Sequence, residues 1–155
     1  MIETPPVDER AVRAALARIP APELPVLSIV DLGIVHRVDV RPDAIDVAIL
    51  PTFIGCPAID VIRATISDEL QQRFHRPTTV RTTFEVPWTS DRISASGREA
   101  LRRVGIAPPA EPGQVRCPHC DSATVAMDSA FGPTQCRSLF YCRACRQPFE
   151  ALKSV

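Results

Sequence analysis

The chain has 155 residues, of which 45% are apolar and only 5% aromatic, so it can form one ordinary domain, or a domain of about 100 residues with a small appendage, around an aliphatic core. Lys plus Arg and Asp plus Glu both number 18, which excludes a broad positive field for nucleic acid or anionic membrane. No stretch approaches the roughly 18 apolar residues of a membrane span, and the N-terminus lacks a signal pattern. We therefore expect a cytoplasmic protein.

The first predicted elements are a helix and two strands. Apolar residues recur at helical spacing over residues 8–19, which predicts a short amphipathic helix that ends at Pro20. An apolar loop is expected over residues 23–33. Apolar and polar residues then alternate over residues 34–40 and 45–49, with Pro and Asp between them, which predicts two strands joined by a turn.

A second helix, a third strand and a third helix follow. The second helix is indicated by an apolar stripe at Ile59, Ile62, Ile66, Leu70 and Phe74. The third strand is expected over residues 79–86, with Val80, Thr82, Phe84 and Val86 on one face. The last helix is expected to start near Ser90 and to end before Gly105. The order helix-strand-strand-helix-strand-helix predicts an α+β domain with helices packed on a small mixed sheet.

The sequence changes character after this domain. Residues 107–113, Ala-Pro-Pro-Ala-Glu-Pro-Gly, are typical of an extended linker. We therefore expect an α+β domain over residues 1–106, a linker over 107–113 and a second, smaller domain over 114–155.

The second domain contains two Cys-x-x-Cys pairs, with 21 residues between the second cysteine of one pair and the first of the other. This spacing is typical of a zinc ribbon, whose two turns supply four thiolates to one ion. A module of about 40 residues buries too little apolar surface to fold alone, so a metal is needed. Rubredoxin-like iron and a pair of reactive dithiols remain alternatives. The predicted ligands are Cys117, Cys120, Cys142 and Cys145.

Other residues of the ribbon have less specific roles. Cys136 is surplus to a four-ligand site. It is either a small buried residue or an exchangeable ligand or reactive thiol. His119 is not expected to be a ligand. Residues 113–155 contain five basic and three acidic side chains, and the net charge of −2 on a divalent ion with four thiolates offsets that excess. Nucleic-acid binding by the ribbon is therefore not favoured.

Cys56 stands apart from the other cysteines, in the segment Pro-Thr-Phe-Ile-Gly-Cys-Pro-Ala at residues 51–58. Pro57 suits the first helical position, which would make Cys56 the N-cap of the second helix and favour its thiolate. Asp60 lies one turn further on, and Asp31 and Glu23 precede the first strand. A thiolate with carboxylates suits bound iron better than a free nucleophile. The alternative is a small buried residue. No histidine base is linked to Cys56 by a motif, so catalysis by this chain is not expected.

At these residues the chain resembles the SufT-type family of iron-sulfur assembly proteins, small α+β domains with a key cysteine in a Gly-Cys-Pro loop. The resemblance rests on residues 23–35 and on residues 51–58. The segments Pro87-Trp88-Thr89, Gly105-Ile-Ala-Pro-Pro109 and residues 131–149 are similar to one branch, the PaaD (PaaJ) family of the phenylacetyl-CoA epoxidase system. The match extends over nearly the whole chain. Ala21 stands where the family usually carries an acidic residue.

The resemblance implies a non-catalytic accessory subunit of aerobic phenylacetate degradation that matures an iron-sulfur or iron centre in a partner. Cys56 would be the iron or cluster ligand, Asp31 a nearby polar site residue, and the four ribbon cysteines the ligands of a structural zinc. The implied partners are the reductase and oxygenase subunits of the epoxidase, and pairing with a second copy stays open. Two alternatives are a structural scaffold that bridges those subunits and a thiol-redox protein.

Overall fold

The computed structural model describes residues 6–52 and 57–155. The chain divides into two compact units, Met1–Trp88 and Thr89–Val155, named here unit 1 and unit 2. No helix in the part of the chain described is long and apolar enough to cross a lipid bilayer.

Unit 1 contains two helices and five strands. In chain order they are α1 (Glu9–Leu16), β1 (Pro20–Ala21), β2 (Leu24–Ser28), β3 (Val35–Val40), β4 (Ile45–Ile49), α2 (Ala58–Phe74) and β5 (Thr78–Thr82). Strands β1 and β2 form a small antiparallel pair, while a second sheet has the order β3-β4-β5. In that sheet β3 is antiparallel and β5 is parallel to the central β4. Helix α2 connects the two parallel strands, as such a crossover requires.

The core of unit 1 is aliphatic, as the composition predicts. Val35 and Val38 are the buried residues of β3, and Ile62, Ile66 and Leu70 recur every four residues along α2, so each element has one face to bury. Trp88 is only 5% exposed, and its indole N–H donates to the carbonyl of Leu32 at 2.9 Å. The α+β prediction for this part of the chain is confirmed.

Three boundaries in unit 1 differ from the prediction. The segment expected to be a loop contains β2, which pairs with β1 just before it, and Pro20 and Pro25 are tolerated because each strand has only one neighbour. Helix α2 has Pro57 as its N-cap, so the assignment of Cys56 as the N-cap is wrong by one position. Strand β5 ends at Thr82, because the N–H of Glu85 bonds to the hydroxyl of Thr83 and turns the chain. Phe84 is consequently 77% exposed.

Unit 2 joins a helix to a four-stranded sheet. It begins with a 3-10 turn (Ser90–Arg92), followed by α3 (Ala95–Arg103), β6 (Ile106–Ala107), β7 (Val125–Ser129), β8 (Arg137–Cys142) and β9 (Pro148–Leu152). The sheet order is β6-β9-β8-β7, with only β6 and β9 parallel. The last helix starts later than expected, because Ser94 rather than Ser90 caps it by accepting from the N–H of Gly97 at 3.0 Å.

This division differs from the expected boundary at residue 106. Strand β6 is a strand of the ribbon sheet, and α3 packs on β6, so both belong with the ribbon. The proline-rich residues are also held in place rather than extended freely. The guanidinium of Arg98 donates to the carbonyl of Pro109 at 3.0 Å, and the N–H of Gln114 closes a turn on the carbonyl of Glu111 at 2.9 Å.

Candidate metal centre

Four thiols converge at one end of the ribbon sheet. Cys117 and Cys120 lie on the turn that precedes β7, while Cys142 ends β8 and Cys145 lies on the turn that leads to β9. Their four sulfur atoms all lie within 4.8 Å of one another. They form the one group of three or more potential metal ligands among residues 6–52 and 57–155. The structure therefore brings together the four residues that the sequence predicts as metal ligands.

The two turns have equivalent backbone geometry. The N–H of Cys117 donates to the carbonyl of Ser122 at 3.0 Å, and the N–H of Cys142 donates to the carbonyl of Gln147, also five positions on, at 2.9 Å. The residue directly after each pair adopts the left-handed conformation, with φ of 61° at Asp121 and 59° at Arg146. Within the first turn, the backbone nitrogen of His119 lies 3.4 Å from the sulfur of Cys117, so its N–H donates to that sulfur.

The distances between the sulfurs fit a tetrahedral ion. A zinc–sulfur bond of about 2.3 Å gives a tetrahedron with edges of about 3.8 Å. Two of the edges are 3.7 Å, from Cys117 to Cys145, and 3.6 Å, from Cys120 to Cys142. Four thiolates in a tetrahedron are the donor set preferred by zinc and by iron in its sulfur-bound forms.

The electrostatics of the four thiols also favour a bound cation. Hydrogen bonds from the backbone N–H groups of Cys145 and Ala144 lower the pKa of Cys142 to about 7. Burial and the neighbouring cysteine sulfurs raise the pKa of Cys145 to about 12. Near neutral pH one thiolate can form, but its charge opposes ionisation of the thiol beside it. A divalent ion would remove this opposition and hold all four sulfurs as thiolates.

The remaining cysteine and histidine of the ribbon lie outside this group. Cys136 is buried, and its sulfur lies 3.0 Å from the hydroxyl of Thr134. The ring of His119 packs against Gly105, where an added Cβ would lie 3.0 Å from the His119 Cε1. Gly105 has a φ of 79°, which favours glycine and ends α3 as predicted.

The candidate iron ligands of unit 1 are not assembled among the residues described. Cys56 itself lies outside the described residues. The carboxylate of Asp31 accepts from the hydroxyl of Ser28 at 3.2 Å, and that hydroxyl accepts from the N–H of Asp31 at 2.9 Å. Glu23 is half-buried, whereas the Asp60 carboxylate is exposed and pairs with Arg63 at 3.5 Å. The Asp31 carboxylate is thus held in place by the neighbouring Ser28.

Sequence reasoning missed a group of polar contacts in unit 1 and two left-handed residues in unit 2. In unit 1 one Glu85 carboxylate oxygen lies 3.3 Å from the His36 Nε2 and accepts from Arg37 at 3.1 Å. These partners are separated by almost fifty positions, so only the sheet pairing brings them together. In unit 2 the left-handed residues Asp121 and Arg146 carry no glycine signal. Their place directly after each Cys-x-x-Cys pair could have indicated them.

Comparison with known proteins defines the class of the two parts. Residues 9–75 match the family model described as "Iron-sulfur cluster assembly protein". Residues 103–153 match the one described as "PaaD zinc beta ribbon domain". Solved structures agree for the fold. A domain of unknown function, DUF59, from Bacillus anthracis is 27% identical with a TM-score of 0.56, covering 60% of this chain and 90% of that chain.

A conserved hypothetical protein from Thermotoga maritima is 26% identical with a TM-score of 0.54, covering 63% of this chain and 97% of that chain. The protein is thus an iron-sulfur-assembly-type α+β domain joined to a zinc ribbon. A curated relative from Escherichia coli (strain K12), named as a subunit of a "Putative 1,2-phenylacetyl-CoA epoxidase", is 37% identical over 149 residues. The alignment covers 92% of this chain and 90% of the relative. The chain belongs to the PaaD family of phenylacetyl-CoA epoxidase subunits.

Proposed function

We propose that this protein is a non-catalytic accessory subunit of the phenylacetyl-CoA epoxidase system, where it matures an iron-sulfur or iron centre in a partner subunit. The observation that carries the proposal is the union, in one chain, of an iron-sulfur-assembly-type domain over residues 9–75 and a PaaD ribbon over residues 103–153. The relative with the same span is itself named as an epoxidase subunit.

Cys56 is the proposed ligand of the transferred iron or cluster. A single thiolate with few protein ligands holds such cargo loosely, which suits delivery rather than storage. Asp31 is the proposed supporting carboxylate, because Ser28 already holds it in one orientation. Glu23 and Asp60 are weaker candidates. The Asp60 carboxylate already forms an ion pair with Arg63.

The ribbon is proposed to hold a structural zinc and to dock the acceptor. Zinc has no redox chemistry, so when bound it would fix the fold without taking part in electron transfer. Cys117, Cys120, Cys142 and Cys145 supply all four ligands and leave no open coordination position. A closed four-sulfur site supports a structural role rather than a catalytic one.

The test is the iron content of the partners. The complete epoxidase system would be expressed in cells with the wild-type chain or with Cys56→Ser, and the reductase and oxygenase subunits would be purified and analysed for iron and for cluster absorbance. Cys56→Ser is expected to lower the iron content of at least one partner. Cys136→Ser serves as the matched control, since it removes a thiol outside the zinc site.

The rival function gives the opposite result. A structural scaffold that bridges oxygenase and reductase would co-purify with both, and Cys56→Ser would leave their iron content and the epoxidase activity unchanged. That outcome would overturn the maturation role while keeping the protein an epoxidase subunit.

A further inference from the structure

Unit 2 contains a cavity of about 570 Å³ that is separate from the four thiols. One wall is the ribbon sheet, where Val125, Met127 and Phe140 line it. The other wall is the proline-rich segment, which contributes Ala110, Pro112, Gly113 and Val115. The volume lies in the range of protein sites that accept a side chain or a small ligand.

Both walls are fixed by hydrogen bonds. On the proline-rich side, Arg98 anchors the carbonyl of Pro109 at 3.0 Å. Gly113, with a φ of 81°, permits the turn that the N–H of Gln114 closes on the carbonyl of Glu111. On the sheet side, Met127 lies opposite Phe140 in the pairing of β7 with β8. The cavity is therefore a built feature of unit 2 and not a gap beside a loose linker.

Apolar side chains dominate the cavity and continue outside it. Met127 lines the cavity and is 58% exposed, and Phe131, in the loop after β7, is 82% exposed. An exposed methionine and an exposed aromatic residue at the mouth of an apolar cavity are typical of protein contact surfaces. A small ligand would fill the cavity but leave Phe131 uncovered, so the occupant has to extend beyond it.

One charged residue lies at the mouth of the cavity. Lys153 is the single charged residue among the described residues that line the cavity, and its ammonium nitrogen lies 5.6 Å from the centre of the Phe131 ring. A carboxylate placed beside this ammonium would be complementary to it, whereas a second cation would be repelled. The same ammonium would then lie between the carboxylate and the Phe131 ring.

We propose that this cavity is the docking site for a partner subunit, which inserts an apolar side chain into it and places an adjacent Asp or Glu beside Lys153. The proposal rests on the proposed function, since it supplies the contact by which the ribbon docks a subunit of the epoxidase. It does not depend on iron transfer through Cys56.

The experiment measures binding to the reductase and oxygenase subunits, each immobilised separately, by biolayer interferometry. Met127→Asp and Lys153→Glu are both expected to raise the Kd for one of these subunits by about tenfold or more. Met127→Asp places a charge in the cavity that takes the apolar side chain, and Lys153→Glu places a negative charge beside the partner's carboxylate. Lys153→Arg is expected to retain binding. Phe84→Asp is the matched control, since Phe84 is 77% exposed but belongs to unit 1.

Each variant is first checked for an unchanged circular dichroism spectrum and one zinc per chain. If Met127→Asp fails this check, Lys153→Glu carries the test alone. Wild-type affinity in every correctly folded charge variant, or no binding of either subunit by the wild type, would overturn the proposal. Two further outcomes would also overturn it. In the first, phenylacetate saturates the cavity and abolishes partner binding equally in the wild type and in Lys153→Glu. In the second, the charge variants change only the self-association of the protein on gel filtration.

The two proposals fail separately. If Cys56→Ser leaves the iron of the partners unchanged but the charge variants weaken binding, the maturation role is wrong and the docking site stands. If Cys56→Ser lowers partner iron and the charge variants bind normally, maturation stands and docking uses another surface.

Discussion

The two units of this protein are stabilised by different means. Of the twelve largest fully buried side chains among the described residues, eleven lie in unit 1 and only Leu101 lies in unit 2. The ribbon has instead a small buried cluster of Ala107, Cys117, Phe140, Cys142, Phe149 and Ala151. Two members of that cluster are candidate metal ligands. Unit 1 can therefore fold by burial of aliphatic surface, while unit 2 needs a metal to complete its core.

The largest expected effect comes from removing the metal. Chelation, or Cys142→Ser, is expected to unfold the ribbon, since a structural zinc contributes on the order of 10 kcal/mol to the folding of such a module. Hydrogen exchange read by peptide should show loss of protection in β7, β8 and β9 while β3, β4 and α2 stay protected. Cys136→Ser should keep zinc and protection. Full protection of the ribbon after chelation would contradict the claim that unit 2 needs a metal to fold.

The corresponding change in unit 1 is a substitution that creates a cavity in its core. Leu70 is fully buried on α2, so Leu70→Ala is expected to destabilise this unit by about 2–5 kcal/mol through lost burial and an unfilled space. Urea unfolding can be followed by the fluorescence of Trp88, the only tryptophan of the chain. Zinc content should remain at the wild-type value. Loss of zinc from this variant would show that the two units do not depend on separate cores.

A smaller effect is expected at the junction of α3 and β6. Gly105→Ala places a Cβ 3.0 Å from the His119 ring and puts alanine at a φ of 79°. We expect a cost of about 1–2 kcal/mol, seen as a lower thermal stability of the ribbon and a weaker zinc affinity in a competition assay. Adding His119→Ala should relieve the steric part of the cost but not the backbone part. Equal stability of Gly105→Ala and wild type would exclude this contact as a constraint.

The smallest expected effect is a gain in the stability of the ribbon. Arg146 adopts a φ of 59°, so Arg146→Gly is expected to stabilise the zinc-bound ribbon by about 0.5–1 kcal/mol. Asp121 has the same conformation, but aspartate tolerates it better, so Asp121→Gly should gain less. Differential scanning calorimetry of the zinc-loaded protein measures both. A lower melting temperature for Arg146→Gly would mean that the arginine side chain makes a contact worth more than the backbone strain.

The sequence was informative where side-chain chemistry repeats at a fixed spacing. The apolar stripe of α2 and the alternation along β3 and β4 predicted those elements, because burial of one face is a local property of the pattern. The two Cys-x-x-Cys pairs predicted the cluster of sulfurs, because their spacing suits two turns at one ion.

Other features depend on partners far away in the chain. A loop was predicted over residues 23–33, yet β2 forms there because it needs only β1 as a neighbour. The ion pair of Glu85 with Arg37, and the cavity beside Met127, exist only after the sheets are assembled. The place of β6 in the ribbon sheet also leaves no local signal, since the pairing of two residues of β6 with β9 is too short to produce a periodic pattern.

The most direct test of the account is a metal analysis of two proteins, wild type and Cys56→Ser, after anaerobic reconstitution with iron and sulfide in the presence of zinc. The account predicts one zinc per chain in both proteins and iron in the wild type alone. Equal iron in the two proteins, or no iron in either, would contradict the role of Cys56.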